Sequence, residues 1–172
     1  YDVTGWEHHR ETVEEINRSH TNSRYLPDVS LDRRLRASGN IRDAVEGKEV
    51  VYVALPCAFI RTALEAARKH ADAGSVFISL SKGLEEKSRL PAPEVIEEVM
   101  NGWEVLHLSG PTIAGEFSQG EPCSAVLAGA DENLLRRTAP ISQTPTFRIR
   151  VSQDRQGVIW GGSLKNIPAS VA

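Results

Sequence analysis

Residues 49–56 read Glu49-Val50-Val51-Tyr52-Val53-Ala54-Leu55-Pro56. Six of the seven residues from Glu49 to Leu55 are apolar, and the run ends at a proline. An unbroken apolar run of this length suits a strand buried on both faces, and such strands belong to parallel sheets covered by helices. The next segments keep that promise. Phe59 to Ala71 has helical spacing, with Ile60, Ala63, Leu64 and Ala67 on one face, and Ser75 to Leu80 reads as a second strand. Pro91 to Met100 is a helix with proline in its first turn, and Val105 to Leu108 is a third strand.

The same alternation extends to both ends of the chain. Tyr1 to Trp6 reads as the tail of a strand, and Glu11 to His20 as a helix with Val13 and Ile16 at i and i+3. Thr21 to Leu31 is a loop rich in Asn, Ser, Pro and Asp. A short strand near Leu35 to Ala37 and a one- to two-turn helix from Ile41 to Glu46 lead into the central run. Ser109 to Pro122 holds three glycines and two prolines and reads as irregular. Ser124 to Ala128 is a strand, and Asp131 to Thr138 a short helix with Asp131 as its N-cap. Thr146 to Val151 alternates as a strand, and a helical pattern runs from Asp154 onward. Strands alternating with helices define an α/β fold with a mostly parallel sheet.

Composition excludes several classes of function. A net charge of −3 over 172 residues gives no basic field for nucleic acid. No apolar run approaches the roughly 18 residues of a membrane span. The two cysteines, Cys57 and Cys123, are too few for a disulfide framework, which fits a cytoplasmic protein. The histidines lack metal-ligand spacing and no Cys/His cluster accompanies them, so no metal centre is expected. Met100 is the only methionine, Tyr1 stands in a strand-like run and Ala172 in a helical one, so the reading expected is that of a fragment.

Three segments carry candidate chemistry. Lys82 follows a strand in Ile78-Ser79-Leu80-Ser81-Lys82-Gly83, where a lysine reaches a bound anion or carbonyl oxygen at a strand's carboxyl end, or is a solvated loop residue. Lys165 follows Gly161-Gly162-Ser163-Leu164 and precedes Asn166. On a helix Gly157, Gly161 and Lys165 share a face. Interior glycines cost about 1 kcal/mol each relative to alanine, so something is expected to approach that face closely. A lysine at such a contact, partly desolvated, exchanges protons near neutral pH; the alternative is a seam of small residues with Lys165 at its edge. Ser109-Gly110-Pro111-Thr112 offers free backbone N–H groups and a hydroxyl for an anion, or is an ordinary Gly-Pro turn.

Taken in order, these segments resemble the NAD(P)-dependent glycerol-3-phosphate dehydrogenase family. Trp6-Glu7-His8-His9 is similar to the end of its second strand, and Asn22 to Pro27 to its loop beyond the following helix. Val53 to Pro56 matches its fourth strand, Ser81 to Leu84 its lysine turn, and Ser109 to Thr112 with Ala114 and Glu116 its substrate loop. Asp154, Gly157 and Gly161 to Asn166 match its first interdomain helix, although Ser163 stands where the family usually has alanine and Pro168 falls inside the expected helix.

The resemblance implies a Rossmann-like dinucleotide-binding domain over residues 1–152, cut at its first strand, with residues 153–172 opening a helical substrate domain. It implies reversible hydride transfer between NAD(P)H and dihydroxyacetone phosphate, giving glycerol 3-phosphate. Lys165 would be the general acid/base. Lys82 would touch substrate and coenzyme and depress the pKa of Lys165 through like charge. Gly110, Thr112 and Asn166 would border the substrate, and His8, His9, Tyr25, Pro56 and Ala114 the coenzyme. The family's Gly-rich phosphate turn should lie about 20 residues before the acid that ends the second strand, and Glu7 has six residues before it. With that turn and the second domain missing, the chain alone is expected to be inactive. NAD or NADP stays undecided: Glu7 suits a ribose 2′-hydroxyl, while His8, His9 and Arg10 suit a 2′-phosphate. A ketopantoate or β-hydroxyacid dehydrogenase, a non-catalytic nucleotide-binding module and a homodimeric assembly remain open alternatives.

Overall fold

The computed structural model describes residues 1–112 and 114–164; of Leu164 only the backbone is described. Lys165 and Asn166, named above as candidate site residues, lie outside the described residues, as does Pro168. The strands are β1 (Val3–Trp6), β2 (Leu35–Ser38), β3 (Val50–Val53), β4 (Val76–Ser79), β5 (Glu104–Ser109), β6 (Cys123–Ala128) and β7 (Phe147–Ser152). The helices are α1 (Arg10–Ser19), α2 (Ile41–Val45), α3 (Cys57–Ala67), α4 (Ala92–Val99), α5 (Ala114–Ser118), α6 (Glu132–Ser142) and α7 (Arg155–Leu164).

The strands form two sheets. β1 and β2 pair in parallel, while β3-β4-β5-β6-β7 form a five-stranded sheet in that order. β3, β4 and β5 run parallel, β6 is antiparallel to β5, and β7 is parallel to β6. The carboxyl ends of β3, β4 and β5 therefore lie along one edge, where ligands bind in open α/β sheets.

Side-chain alternation sends successive residues to opposite faces of that sheet. Val51, Val53, Phe77 and Val105 pack with Ile60 and Leu64 of α3 and Val95, Ile96 and Val99 of α4. Ile78, Leu106 and Leu108 pack with Leu134, Leu135 and Ala139 of α6 on the other face. In the smaller sheet, α1 buries Thr12 and Ile16 and is tied to β2 by Asn17, whose amide donates to the Ala37 carbonyl at 2.8 Å and accepts from its N–H at 2.9 Å.

Four sequence readings need correction. Tyr52 is 40% exposed, so β3 is not covered on both faces throughout; among the described residues it is an edge strand, and its apolar run does not reveal that. The segment read as irregular contains the short helix α5. α6 continues to Ser142 through Pro140, beyond the expected end at Thr138, because proline so near a helix end removes only one of its bonds. The close approach expected at Gly157 is made by the Asp154 carboxylate, which a Cβ would strike, whereas the one expected at Gly161 occurs instead at Gly162. A Cβ there would collide with Ser109 Oγ, whereas one at Gly161 would meet nothing within 4 Å among the described residues. Gly157 serves the start of α7, where its N–H donates to Asp154 Oδ1 at 2.9 Å.

Candidate functional site

The ends of β3, β4 and β5 are drawn together by a small set of polar contacts. Ser81 Oγ donates to the Leu55 carbonyl at 2.6 Å, joining the turn after β4 to the end of β3. Cys57 Sγ, one residue past Pro56 at the start of α3, donates to the Lys82 carbonyl at 3.3 Å. Burial raises the Cys57 thiol above its ordinary pKa, so the thiol stays protonated and serves as a donor. Gly83 then takes a φ of +106°, a left-handed conformation that glycine adopts without strain. The chain turns there, and Lys82 Nζ donates to the Gly110 carbonyl at 3.0 Å. Gly110 is obligatory for another reason. A Cβ at this position would lie 2.5 Å from the Ser124 carbonyl oxygen, inside the β5–β6 pairing.

Helix α7 closes this edge from above. Gly162 seats it on Ser109, and the Gly83 N–H donates to Ser163 Oγ at 3.4 Å. Arg155 pairs with Glu97 at 2.8 Å, and Gln156 donates to Glu94 at 3.1 Å, fixing the helix to α4. Beneath α7 the strands change character. Phe77 gives way to Ser79, and Val105 to His107 and Ser109, along the same face. Ser79 Oγ and His107 Nδ1 are fully buried without hydrogen-bond partners among the described residues. Burial, reinforced by the positive charges of Arg155 and Lys82, lowers the His107 pKa to about 4 despite a contact with the Ser79 backbone. His107 is therefore a neutral imidazole at pH 7.

The other candidates lie elsewhere. Thr112 is half-buried two residues past Gly110, and Ala114 is exposed at the start of α5. His8 and His9 follow β1, their rings 3.8 Å apart. Glu7 Oε1 accepts from the His9 N–H at 2.8 Å and stands 3.1 Å from His8 Nδ1. These three residues bring potential ligand atoms within 4.8 Å of one another, a gathering that spacing rules did not anticipate. Tyr25 is 54% exposed in its loop, with the Arg24 guanidinium 5.4 Å from its ring centre. Lys82, Gly110 and the Pro56 turn thus converge on one strand edge, whereas His8, His9 and Tyr25 belong to the smaller sheet and its loop. Sequence reasoning passed over Ser79, His107 and the exposed ring of Phe59. The first two were signalled by polar residues at i and i+2 where an apolar face should continue.

Residues 1–135 match the family model described as the N-terminus of NAD-dependent glycerol-3-phosphate dehydrogenase. The chain belongs to that family. It is 40% identical over 164 residues to a glycerol-3-phosphate dehydrogenase (NAD(P)+) of Sphingopyxis alaskensis, covering 95% of this chain and 49% of the relative. It is 34% identical over 177 residues to one from an Anaeromyxobacter strain, covering 100% of this chain and 53% of that protein. The crystal structure of the Coxiella burnetii glycerol-3-phosphate dehydrogenase superposes with a TM-score of 0.88 at 26% identity, over 98% of this chain and 51% of that one. The Rossmann-like α/β fold of this dehydrogenase family is thereby shown for the chain, which spans about half the length of the curated relatives it matches. Among the described residues no helix is long and apolar enough to cross a membrane.

Proposed function

We propose that this chain is the coenzyme-binding half of a dehydrogenase that transfers hydride reversibly between NAD(P)H and dihydroxyacetone phosphate, giving sn-glycerol 3-phosphate. The observation that carries this reading is the convergence of Lys82 and Gly110 at the carboxyl ends of three parallel strands, in a chain of this family. The residues present fit a dinucleotide. The Pro56 turn is open, the Phe59 ring beside it is 63% exposed, and the Cys57 thiol ties this turn to the backbone of Lys82. NAD(P)H, when bound, supplies the hydride.

The chain's own residues divide the remaining work. Lys82, held by the Gly110 carbonyl, presents a fixed positive charge to the substrate side, where it favours the developing alkoxide without reorganisation. Gly110 and Thr112 leave backbone groups and a hydroxyl open to the substrate. Lys165, with Asn166 beside it, is assigned the proton that the alkoxide takes up, by its place in the family motif. His8, His9, Tyr25 and Ala114 are assigned to the coenzyme. Glu7 already accepts the His9 N–H and stands 3.1 Å from His8 Nδ1, so both NAD and NADP stay within the proposal.

The test is made on the full-length protein, by following NADH and NADPH absorbance separately with dihydroxyacetone phosphate. Wild type is expected to turn over, and Lys165→Ala to lose about a thousandfold, the scale of a general acid/base. Absence of turnover with either coenzyme removes this substrate. Undiminished turnover in Lys165→Ala removes the assigned role.

A further inference from the structure

Glu85 is a buried carboxylate in a surface loop. Only 9% of the residue is exposed, whereas Leu84, Glu86, Lys87, Ser88 and Arg89 around it are all exposed. Charged residues are buried so far only when paired, and here the partner is Arg61 of α3. Its Nε and Nη2 donate to the two carboxylate oxygens at 2.9 and 2.8 Å. The same guanidinium reaches Glu98 of α4 at 3.0 Å, and Ser88 Oγ donates to Glu85 at 2.6 Å.

The position of this pair matters more than its strength. Cys57 and Arg61 are four residues apart and share a face of α3. Cys57 bonds the Lys82 carbonyl, and Arg61 bonds Glu85 three residues further along the loop. The lysine turn is thus fastened to α3 by two rungs, one on either side of Gly83, whose positive φ turns the chain. Beyond them the loop closes on itself. The Ala92 N–H donates to the Gly83 carbonyl at 3.1 Å, and the Glu85 N–H to the Leu90 carbonyl at 2.9 Å. A planar bidentate pair fixes orientation as well as distance, and an ion pair with a buried partner is weak evidence for stability.

We infer that Arg61 and Glu85 are positioning residues for Lys82, holding the turn at the height on α3 from which the ammonium group reaches Gly110. This inference rests on the assignment of Lys82 to the site. Neither residue touches the reacting groups; both act through the lysine.

The experiment uses the full-length protein with Arg61→Leu/Glu85→Leu, because an apolar pair can replace a buried ion pair without loss of stability. Two readouts are taken. The first is kcat/KM with dihydroxyacetone phosphate, in the wild-type and Lys82→Ala backgrounds. The second is the rate at which an amine-acylating reagent labels Lys82, relative to Lys48 and Lys69, followed by mass spectrometry. The expected result is a melting temperature near that of wild type, a fall in kcat/KM approaching 100-fold, as about 1 Å of misplacement can cause, and faster labelling of Lys82 alone. In the Lys82→Ala background the double substitution should cost little more, because it acts through the residue already removed. If that variant fails to fold, Arg61→Lys, which keeps the charge and loses the fork, is expected to show the same selective labelling to a smaller degree. Unchanged labelling and kcat/KM in a folded variant, or losses that multiply in full with Lys82→Ala, overturn the inference. Absence of turnover in wild type overturns the substrate reading instead and leaves the labelling result to judge the brace.

Discussion

At the scale of single residues, buried His107 of β5 and two glycines of α7 make measurable commitments. His107 is 2% exposed and its pKa falls from 6.5 to about 4 on folding. Between those values the unfolded chain binds the extra proton and the folded chain refuses it, so stability rises with pH across this window and is lost as pH falls through it. From pH 7 to pH 5 the loss attributable to His107 is about 2 kcal/mol. Urea unfolding at the two pH values should show it, and His107→Gln should remove that part of the pH dependence; an unaltered dependence would mean that the imidazole is not shielded. Gly162 and Gly161 make a matched pair on one helix. Alanine in a helix interior is favoured over glycine by about 1 kcal/mol, and at Gly161, where a Cβ meets none of the described residues, the gain should appear as a raised melting temperature. At Gly162 the new methyl group meets Ser109 Oγ, and overpacking costs about 1–3 kcal/mol. Gly162→Ala is therefore destabilising, and Ser109→Ala should recover most of the loss. Equal effects at the two glycines would contradict the close contact of α7 with β5.

Elements were more legible than their surroundings. The Asp131 side chain accepts from the Asn133 and Leu134 N–H groups at 2.8 and 3.2 Å, as its place before α6 suggested. Asp131→Ala should cost about 1 kcal/mol, read as a lower urea midpoint with an unchanged slope; no change would mean that solvent serves those groups equally well. Local patterns of this kind also revealed β3, β4, β5, α3 and α4, whose apolar residues repeat at spacings of two or of three and four. What stayed hidden depends on neighbours distant in sequence. Nothing between Glu49 and Leu55 says that β3 is an edge, because among the described residues that is decided by which distant strands pair with it. Gly110 and Lys82 were singled out separately, but their hydrogen bond spans 28 positions and requires β4 and β5 to be adjacent. The Arg61–Glu85 pair is similar, since each residue alone reads as an ordinary surface charge. Gly162 was passed over for Gly157 and Gly161 because helical periodicity identifies faces without saying which face meets the sheet.

At the scale of the whole molecule, the division into two sheets has a consequence for association. β1 on the side away from β2, and β3 on the side away from β4, have no strand partner among the described residues. Unpaired backbone groups on such edges template pairing with other chains unless charge, proline or a covering element blunts them. β7, the opposite edge of the larger sheet, is blunted in this way by Arg148 and Arg150. Neither Val3–Trp6 nor Val50–Val53 contains a charged residue, and Val3 is 52% exposed. The 172-residue chain is accordingly expected to associate as its concentration rises, with a sedimentation coefficient that increases across a dilution series. Val3→Lys places a charge on the β1 edge without touching the buried residues of either core cluster, and should shift association to higher concentration. A longer protein in which a strand occupies these edges should show no such dependence, and Val3→Lys should then leave its sedimentation unchanged. If the 172-residue chain sediments as a single monomer at every concentration, α2 and the flanking loops protect the edges well enough by themselves, and the edge argument fails.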